Sequence, residues 1–400
     1  MSVLFFYDDA RARQFEPFAL TRPVSELRAG TSLIRHRWER ATGLRSAGFI
    51  SGDHLIHFEE GDAPPSAAPK AEIPAGAVIV NSRCVVSLDL KIDHFDLLMC
   101  DGIACAVRLA RALPVSQFAN GNVDIGSIQT SLGGRKIGGR WLTEVWDLVG
   151  TLDTQLKEDV PLRSKSLEAA ASTSATTVGD HPIFVEEGAK IGPQVVLDAS
   201  GGPILIRKGA VIAPFSHLMG PMYVGRESQI MGDRISGSSI GDHCKVRGEF
   251  SASVVLGHSN KGHAGFIGHS YVGRWVNVGA LTTTSNLKNT YGPVQMWTPS
   301  GVRPTGLQFL GTLFGDHAKT GIGTMLSTGT VLGAGANVFG GTMPPKAVPP
   351  FAWGSAEPYE TYDVTKFLAV AEHVMSRREV ELGDKGRKQL TEAHKRRWSV

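Results

Sequence analysis

Aliphatic residues recur every six positions through the second half of this 400-residue chain. Val185, Ile191 and Leu197 start the series, and Ile206, Ile212, Leu218, Val224 and Ile230 continue it in unbroken steps of six. Ile240, Val246, Leu256, Ile267, Val272 and Val278 follow, and Thr320, Leu326, Leu332 and Val338 resume it. Glycine often stands directly after the aliphatic residue, as in Ile191-Gly192, Val224-Gly225 and Ile240-Gly241. An ordinary glycine-rich β domain has no reason to hold that step. Self-similarity at six residues predicts a left-handed parallel β-helix, in which each hexapeptide forms one flat face. The aliphatic side chain points inward, the small residue turns the corner, and three hexapeptides close one triangular coil. Stacked coils bury a continuous column, so each coil depends on its neighbours.

That repeat occupies less than half of the chain, and a chain this long is expected to hold two domains. The 47 glycines crowd into residues 179–341, whereas the first part has a different texture. Residues 2–7 (SVLFFY), Ala77–Val80 and Ile103–Leu109 read as strands, and residues 31–42 read as a helix with Thr31 as its N-cap. Strands mixed with helices predict an α/β domain over residues 1–165. A linker of small polar residues follows over 166–180, the β-helix spans 181–345, and a helical basic tail covers 346–400. Within that tail, residues 359–378 read as a helix capping the open end of the solenoid. Residues 284–318 interrupt the repeat and are expected to be a functional loop.

The charge balance is +3. Residues 377–400 hold eight Lys/Arg against four acids, with Trp398 the one stacking aromatic, so a solvated helix end is expected there and not a nucleic-acid site. Cys84, Cys100, Cys105 and Cys244 form no C-x-x-C pair. No apolar run approaches the ~18 residues of a membrane span, and no signal-peptide pattern opens the chain. Free thiols in a reducing cytoplasm are the expectation.

The chemistry-bearing residues cluster in Leu256–Gly268 (LGHSNKGHAGFIG), which holds His258, Asn260, Lys261 and His263. Asn277, Ser285-Asn286 and Gly315-Asp316-His317-Ala318-Lys319 come after it. An amine attacking a thioester must shed a proton, and a neutral imidazole accepts one near pH 7. Backbone N–H groups of a glycine-rich coil suit the tetrahedral oxyanion, and Lys261 suits a phosphate.

These residues resemble the acetyltransferase half of the bifunctional N-acetylglucosamine-1-phosphate uridyltransferase/glucosamine-1-phosphate acetyltransferase family. That family carries Gly-Ser-Lys-x-Gly-His, Tyr-Leu-Gly, Val-Asn-Ile-Gly-Ala-Gly and Asn-Tyr. This chain reads His258-Ser259-Asn260-Lys261-Gly262-His263, Phe266-Ile267-Gly268, Val276-Asn277-Val278-Gly279-Ala280 and Ser285-Asn286-Leu287. The resemblance implies His263 as general base, with Asn286 beside the reacting groups. It implies Lys261, Asn277, His217 and Phe266 around the substrate, and Ala280, Thr320 and Gly340 along the cofactor. Phe266 replaces a Tyr, His217 an Arg and Ser251 a Lys, which points to a different acceptor.

The first domain lacks the family's Gly-x-Gly-Thr-Arg-Met loop. Pro17–Gly30 (PFALTRPVSELRAG) and Trp141–Gly150 instead resemble a divergent branch of sugar nucleotidyltransferases with a hexapeptide C-terminus. Arg22 and Arg28 are candidate phosphate ligands, and Asp8, Asp9 or Asp101 candidate ligands of Mg²⁺. The implied function is acetyl transfer from acetyl-CoA to the amine of an amino-sugar phosphate. Nucleotidyl transfer from a nucleoside triphosphate, making a UDP-sugar, is coupled to it by analogy. By the same resemblance a homotrimer is expected, with no membrane partner. Two alternatives stay open: a zinc enzyme like the γ-carbonic anhydrases, with His258, His263 and His217 or His317 as ligands, and a non-catalytic trimeric scaffold.

Overall fold

The computed structural model describes residues 2–128, 134–170 and 174–398. It divides into two units, Met1–Val145 with Gly383–Arg396, and Trp146–Leu382 with Arg397–Val400.

The first unit is built on a six-stranded sheet. Leu4–Tyr7 lies next to one edge, parallel to the edge strand Ser46–Ile50 on one side and to Val78–Asn81 on the other. Ile103–Arg108 then pairs antiparallel with Val78–Asn81 and with Leu97–Cys100. Tyr7, Ile79, Val107 and Phe118 pack one core on this sheet. The helix Ile34–Thr42 starts later than its sequence suggests, because Arg28–Ala29 and Ser32–Leu33 pair first as a short hairpin. Thr31 is therefore a buried hairpin residue and not an N-cap. The helix Asp384–Lys395 also belongs to this unit, with Leu390 and Ala393 buried.

The second unit is a three-faced parallel β-solenoid preceded by the helix Leu152–Ser164. Its first face begins at Thr176–Val178, inside the span expected as a linker, because these residues already pair with Val196–Asp198 of the next coil. Residues 171–173 of that span lie outside the described residues. The second face has nine strands and the third ten. On the third face Ile191, Ile212, Ile230, Val246, Lys261, Val278, Thr320 and Val338 stack inward. On the second, Ile240 aligns with Val255, so Val255 and not Leu256 occupies the column there. The coil from Ile240 to Val255 has 15 residues, against 18 from Ile206 to Val224, so a strict count of six no longer lands on the inward position.

The outward side of the second face is buried as well, with Tyr223, Tyr271, Leu313 and Val331 each at most 2% exposed. The helix Leu152–Ser164 covers its early coils. The interruption of the repeat covers later ones: Gln295–Thr298 and Gly301–Pro304 form a hairpin whose Met296 is buried beside the strand Thr330–Leu332. The end of the solenoid is closed by Glu360–Thr361, paired antiparallel to Ala352–Gly354. The helix Val364–Ser376 does not cap that end. It runs back along the corner between the second and third faces, with Phe367 against Phe351 and His317 and Arg378 reaching the carbonyl of His243.

Candidate active site on the solenoid

His263 stands on the corner between the third and first faces, in the turn that joins Asn260–Lys261 to Phe266–Gly268. Its ring is exposed and makes no hydrogen bond among the described residues. The turn itself is held from inside the coil. Lys261 occupies an inward position, 4% exposed, and its ammonium donates to the carbonyls of His263 and of Ala264, the latter at 2.9 Å. Burial pushes this ammonium down to about 8, with Asp233 pulling it up and Arg247 down. The expected phosphate ligand is therefore a correction: in a parallel strand the residue after Asn260 points into the core, and Lys261 fixes the turn of His263 instead.

The other expected residues divide between this corner and other places. Ala280 and Gly340 lie on the same corner as His263, in later coils. Thr320 does not, because it is an inward residue whose hydroxyl accepts from Gly279 N at 3.0 Å and bonds to Thr282 at 2.9 Å. Phe266 and Asn286 belong to the first face and its far corner. There the Asn286 amide bonds to Nδ1 of His269 at 2.8 Å, and His269 stacks on Phe309 at 5.1 Å. Burial lowers the pKa of His269. His263 and Asn286 thus stand at opposite ends of the strand Phe266–Gly268. His217 is on the same face, but Arg234 and Glu249 separate it from Phe266, and its nearest charge is Asp198 at 3.8 Å.

The zinc set is not assembled within this chain. His258 sits on the corner between the second and third faces, across the coil from His263, and stacks between His243 and Trp275. Among the described residues no cluster of three His, Cys, Asp or Glu is placed to hold a metal ion.

In the first unit the candidate phosphate ligands are structural. Arg22 is 3% exposed, pairs with Glu60 at 2.5 Å and lies over Phe58. Arg28 is buried and donates to the carbonyl of Thr31 at 2.8 Å. Asp8 is buried, which raises its pKa, and accepts from Ser51 at 2.6 Å. Burial would also raise Asp9, yet Arg83 at 2.7 Å and Asn81 hold it below its ordinary value. A divalent cation beside Asp9 would meet the Arg83 guanidinium, so these residues do not fit a magnesium site.

One cleft escaped the sequence reading. The outward residues of the third face form the row Gln229, Lys245, Asn260, Asn277, Lys319. Asn260 Nδ2 donates to Asn277 Oδ1 at 2.8 Å. The end of the helix Val364–Ser376 faces this row with Arg377, Arg378 and Glu379 and encloses a cleft of about 800 Å³. Asn277 opens into it, and His263 does not line it. No local motif marks this site, because its two walls are about a hundred residues apart in the sequence.

Residues 4–167 match the sugar nucleotidyl transferase family. The Bifunctional protein GlmU of Methanococcus vannielii is 25% identical over 215 residues, 51% of this chain and 44% of that protein. The Bifunctional protein GlmU of Prochlorococcus marinus is 31% identical over 164 residues, 40% and 28% of the two chains. The chain is a divergent relative of these bifunctional proteins. It also resembles the uncharacterized acetyltransferase YaiX of Escherichia coli, at 26% identity over 151 residues, 37% of this chain and 66% of that one. The matches thus span less than two thirds of each of these relatives. No helix among the described residues is long and apolar enough to cross a membrane.

Proposed function

We propose that this chain transfers an acetyl group from acetyl-CoA to the amine of an amino-sugar phosphate at the corner that carries His263. The observation that carries the reading is an exposed imidazole on a turn pinned from within by a buried ammonium. That arrangement fixes the backbone of a proton acceptor while leaving its ring open to an incoming amine. His263 takes the proton as the amine nitrogen attacks the thioester carbonyl, and the tetrahedral intermediate then expels the thiolate of coenzyme A. Ala280 and Gly340 continue the same corner and offer small side chains along which the pantetheine arm can lie. Acetyltransferases among the relatives support the same reading.

For the first unit we propose nucleotidyl transfer to a sugar phosphate, supported by its family match. Arg22 and Arg28 are spent on internal partners, so the triphosphate is held by other groups. The second reading, a scaffold, has no comparable support.

The test separates the halves. Coenzyme A release and pyrophosphate release are measured independently with a panel of sugar-1-phosphates and amino-sugar phosphates. His263→Ala is expected to lower the coenzyme A release rate by ~10²–10⁴-fold, the usual worth of a positioned general base, and to leave pyrophosphate release unchanged. Undiminished coenzyme A release in that variant would remove His263 from the reaction, and no release from the unsubstituted protein with any acceptor would favour the scaffold.

A further inference from the structure

The cleft between the third face and the end of the helix Val364–Ser376 is a built site on a different corner from His263. Four cations line it, Lys245, Lys319, Arg377 and Arg378, against two carboxylates, Glu227 and Glu379. Its walls therefore carry a net charge of +2, with the histidines neutral. The side chains of Lys245 and Arg377 have no hydrogen bond or ion pair among the described residues. Unpaired cations facing each other across a concavity repel, and an anionic ligand removes that cost.

The row also contains what a hydroxyl-rich ligand needs. The Asn260–Asn277 bond uses one group of each amide and leaves Asn260 Oδ1 as an acceptor and Asn277 Nδ2 as donor. Gln229 adds another amide. Lys245 and Lys319 stand three coils apart, ~14 Å at the ~4.8 Å spacing of paired strands. A single phosphate cannot reach both. An elongated ligand can lie along the row, with its charge among the cations at one end and its hydroxyls on the amides.

We propose that this cleft binds a nucleoside diphosphate sugar, whose bridging diphosphate carries two negative charges. The proposal does not rest on acyl transfer at His263. It gives the solenoid a binding site for the class of product that the proposed activity of the first unit would release.

The test uses the full chain and three probes: UDP-glucose, inorganic pyrophosphate and glucose. Binding is followed by calorimetry, which also counts any site in the first unit. UDP-glucose is expected to bind, and the double substitution Lys245→Gln with Arg377→Gln to weaken one class of sites by at least about tenfold, as loss of charge-assisted bonds predicts. The charge-retaining pair Lys245→Arg with Arg377→Lys is expected to keep that binding, which separates lost charge from a disturbed fold. Burial holds the Lys319 ammonium down at about 8. Binding is therefore expected to weaken between pH 7 and 9 as that cation is lost. Unchanged affinity and stoichiometry in the Gln pair would overturn the proposal. So would pyrophosphate binding as tightly as UDP-glucose, since the cleft would then recognise the anion without the sugar.

Discussion

Lys261 is where residue chemistry and position conflict most. Its neighbours in the inward column are Val246 and Val278, and its four-carbon stem fills that space as an aliphatic residue would. The ammonium is the costly part. Its ordinary pKa lies near 10.5, and burial brings it to about 8 in the folded chain. The unfolded chain therefore holds a proton between those values that the folded chain has released. Stability rises with pH across that window and carries the full penalty below it. Lys261→Leu is expected to remove the penalty, gaining ~1–3 kcal/mol at pH 7, as apolar replacement of buried charge does elsewhere. The melting temperature at pH 7 should increase by a few degrees, and the gain should shrink at pH 10. A lower melting temperature at pH 7 would mean that the two carbonyl bonds outweigh the desolvation. Acetyl transfer gives a second readout: with the turn no longer pinned, kcat is expected to fall more than KM rises. The lysine's role was not legible in the sequence, because Lys is almost never a core residue and a phosphate was the natural partner to expect. Arg22 and Arg28 depart from the expected phosphate ligands in the same way, because Glu60 and the Thr31 carbonyl engage them inside the fold.

Among the elements, the strands of the solenoid were readable and their partners were not. One inward aliphatic residue per face is a local rule, so the columns could be counted from the sequence until a short coil moved the register from Leu256 to Val255. The helix Val364–Ser376 was foreseen, but its course was not, since that is decided by aromatic residues far upstream. Consecutive coils place Glu227, His243, His258, Trp275 and His317 at one corner, all with φ between 55° and 61°. Left-handed conformations cost ~1–2 kcal/mol for residues other than glycine. Stacking along the corner offsets part of that cost, with His243, His258 and Trp275 at centroid distances of 4.8 and 4.5 Å. Phe367 is 1% exposed and joins the helix to this corner through Phe351 at 4.9 Å and His317 at 5.8 Å. Phe367→Ala is expected to cost ~3 kcal/mol of local stability. Hydrogen exchange should then accelerate in peptides covering 364–379 while the coil strands keep their protection. UDP-glucose binding at the cleft should weaken in parallel, because Arg377 and Arg378 would no longer be held opposite Lys245.

At the scale of the whole molecule, the corner that carries His263 also carries a row of exposed apolar side chains. Phe215 is 73% exposed, Leu281 59% and Ile322 73%, each at the same turn of a different coil. Met231 and Phe339 extend the row at 39% and 36%. The middle coils interrupt it with Arg247 and His263. An apolar row on an otherwise polar surface marks an interface, and one that runs along a regular solenoid suits copies of the same chain related by rotation. We propose that the chain forms the homotrimer expected from its resemblance, which would bury both ends of the row and leave His263 between neighbouring copies. Asn286, held at the far end of the strand Phe266–Gly268 in the same chain, could then act on the His263 of another copy. Light scattering on the eluted protein is expected to give the mass of a trimer, and Phe215→Glu with Ile322→Glu the mass of a monomer. If the site is shared in this way, the monomer loses acetyl transfer although His263 and Asn286 are both intact, and mixing separately inactive His263→Ala and Asn286→Ala proteins through unfolding and reassembly restores part of it. Full activity of the monomeric variant would place the whole reaction within one chain and remove the reason for the row to be apolar.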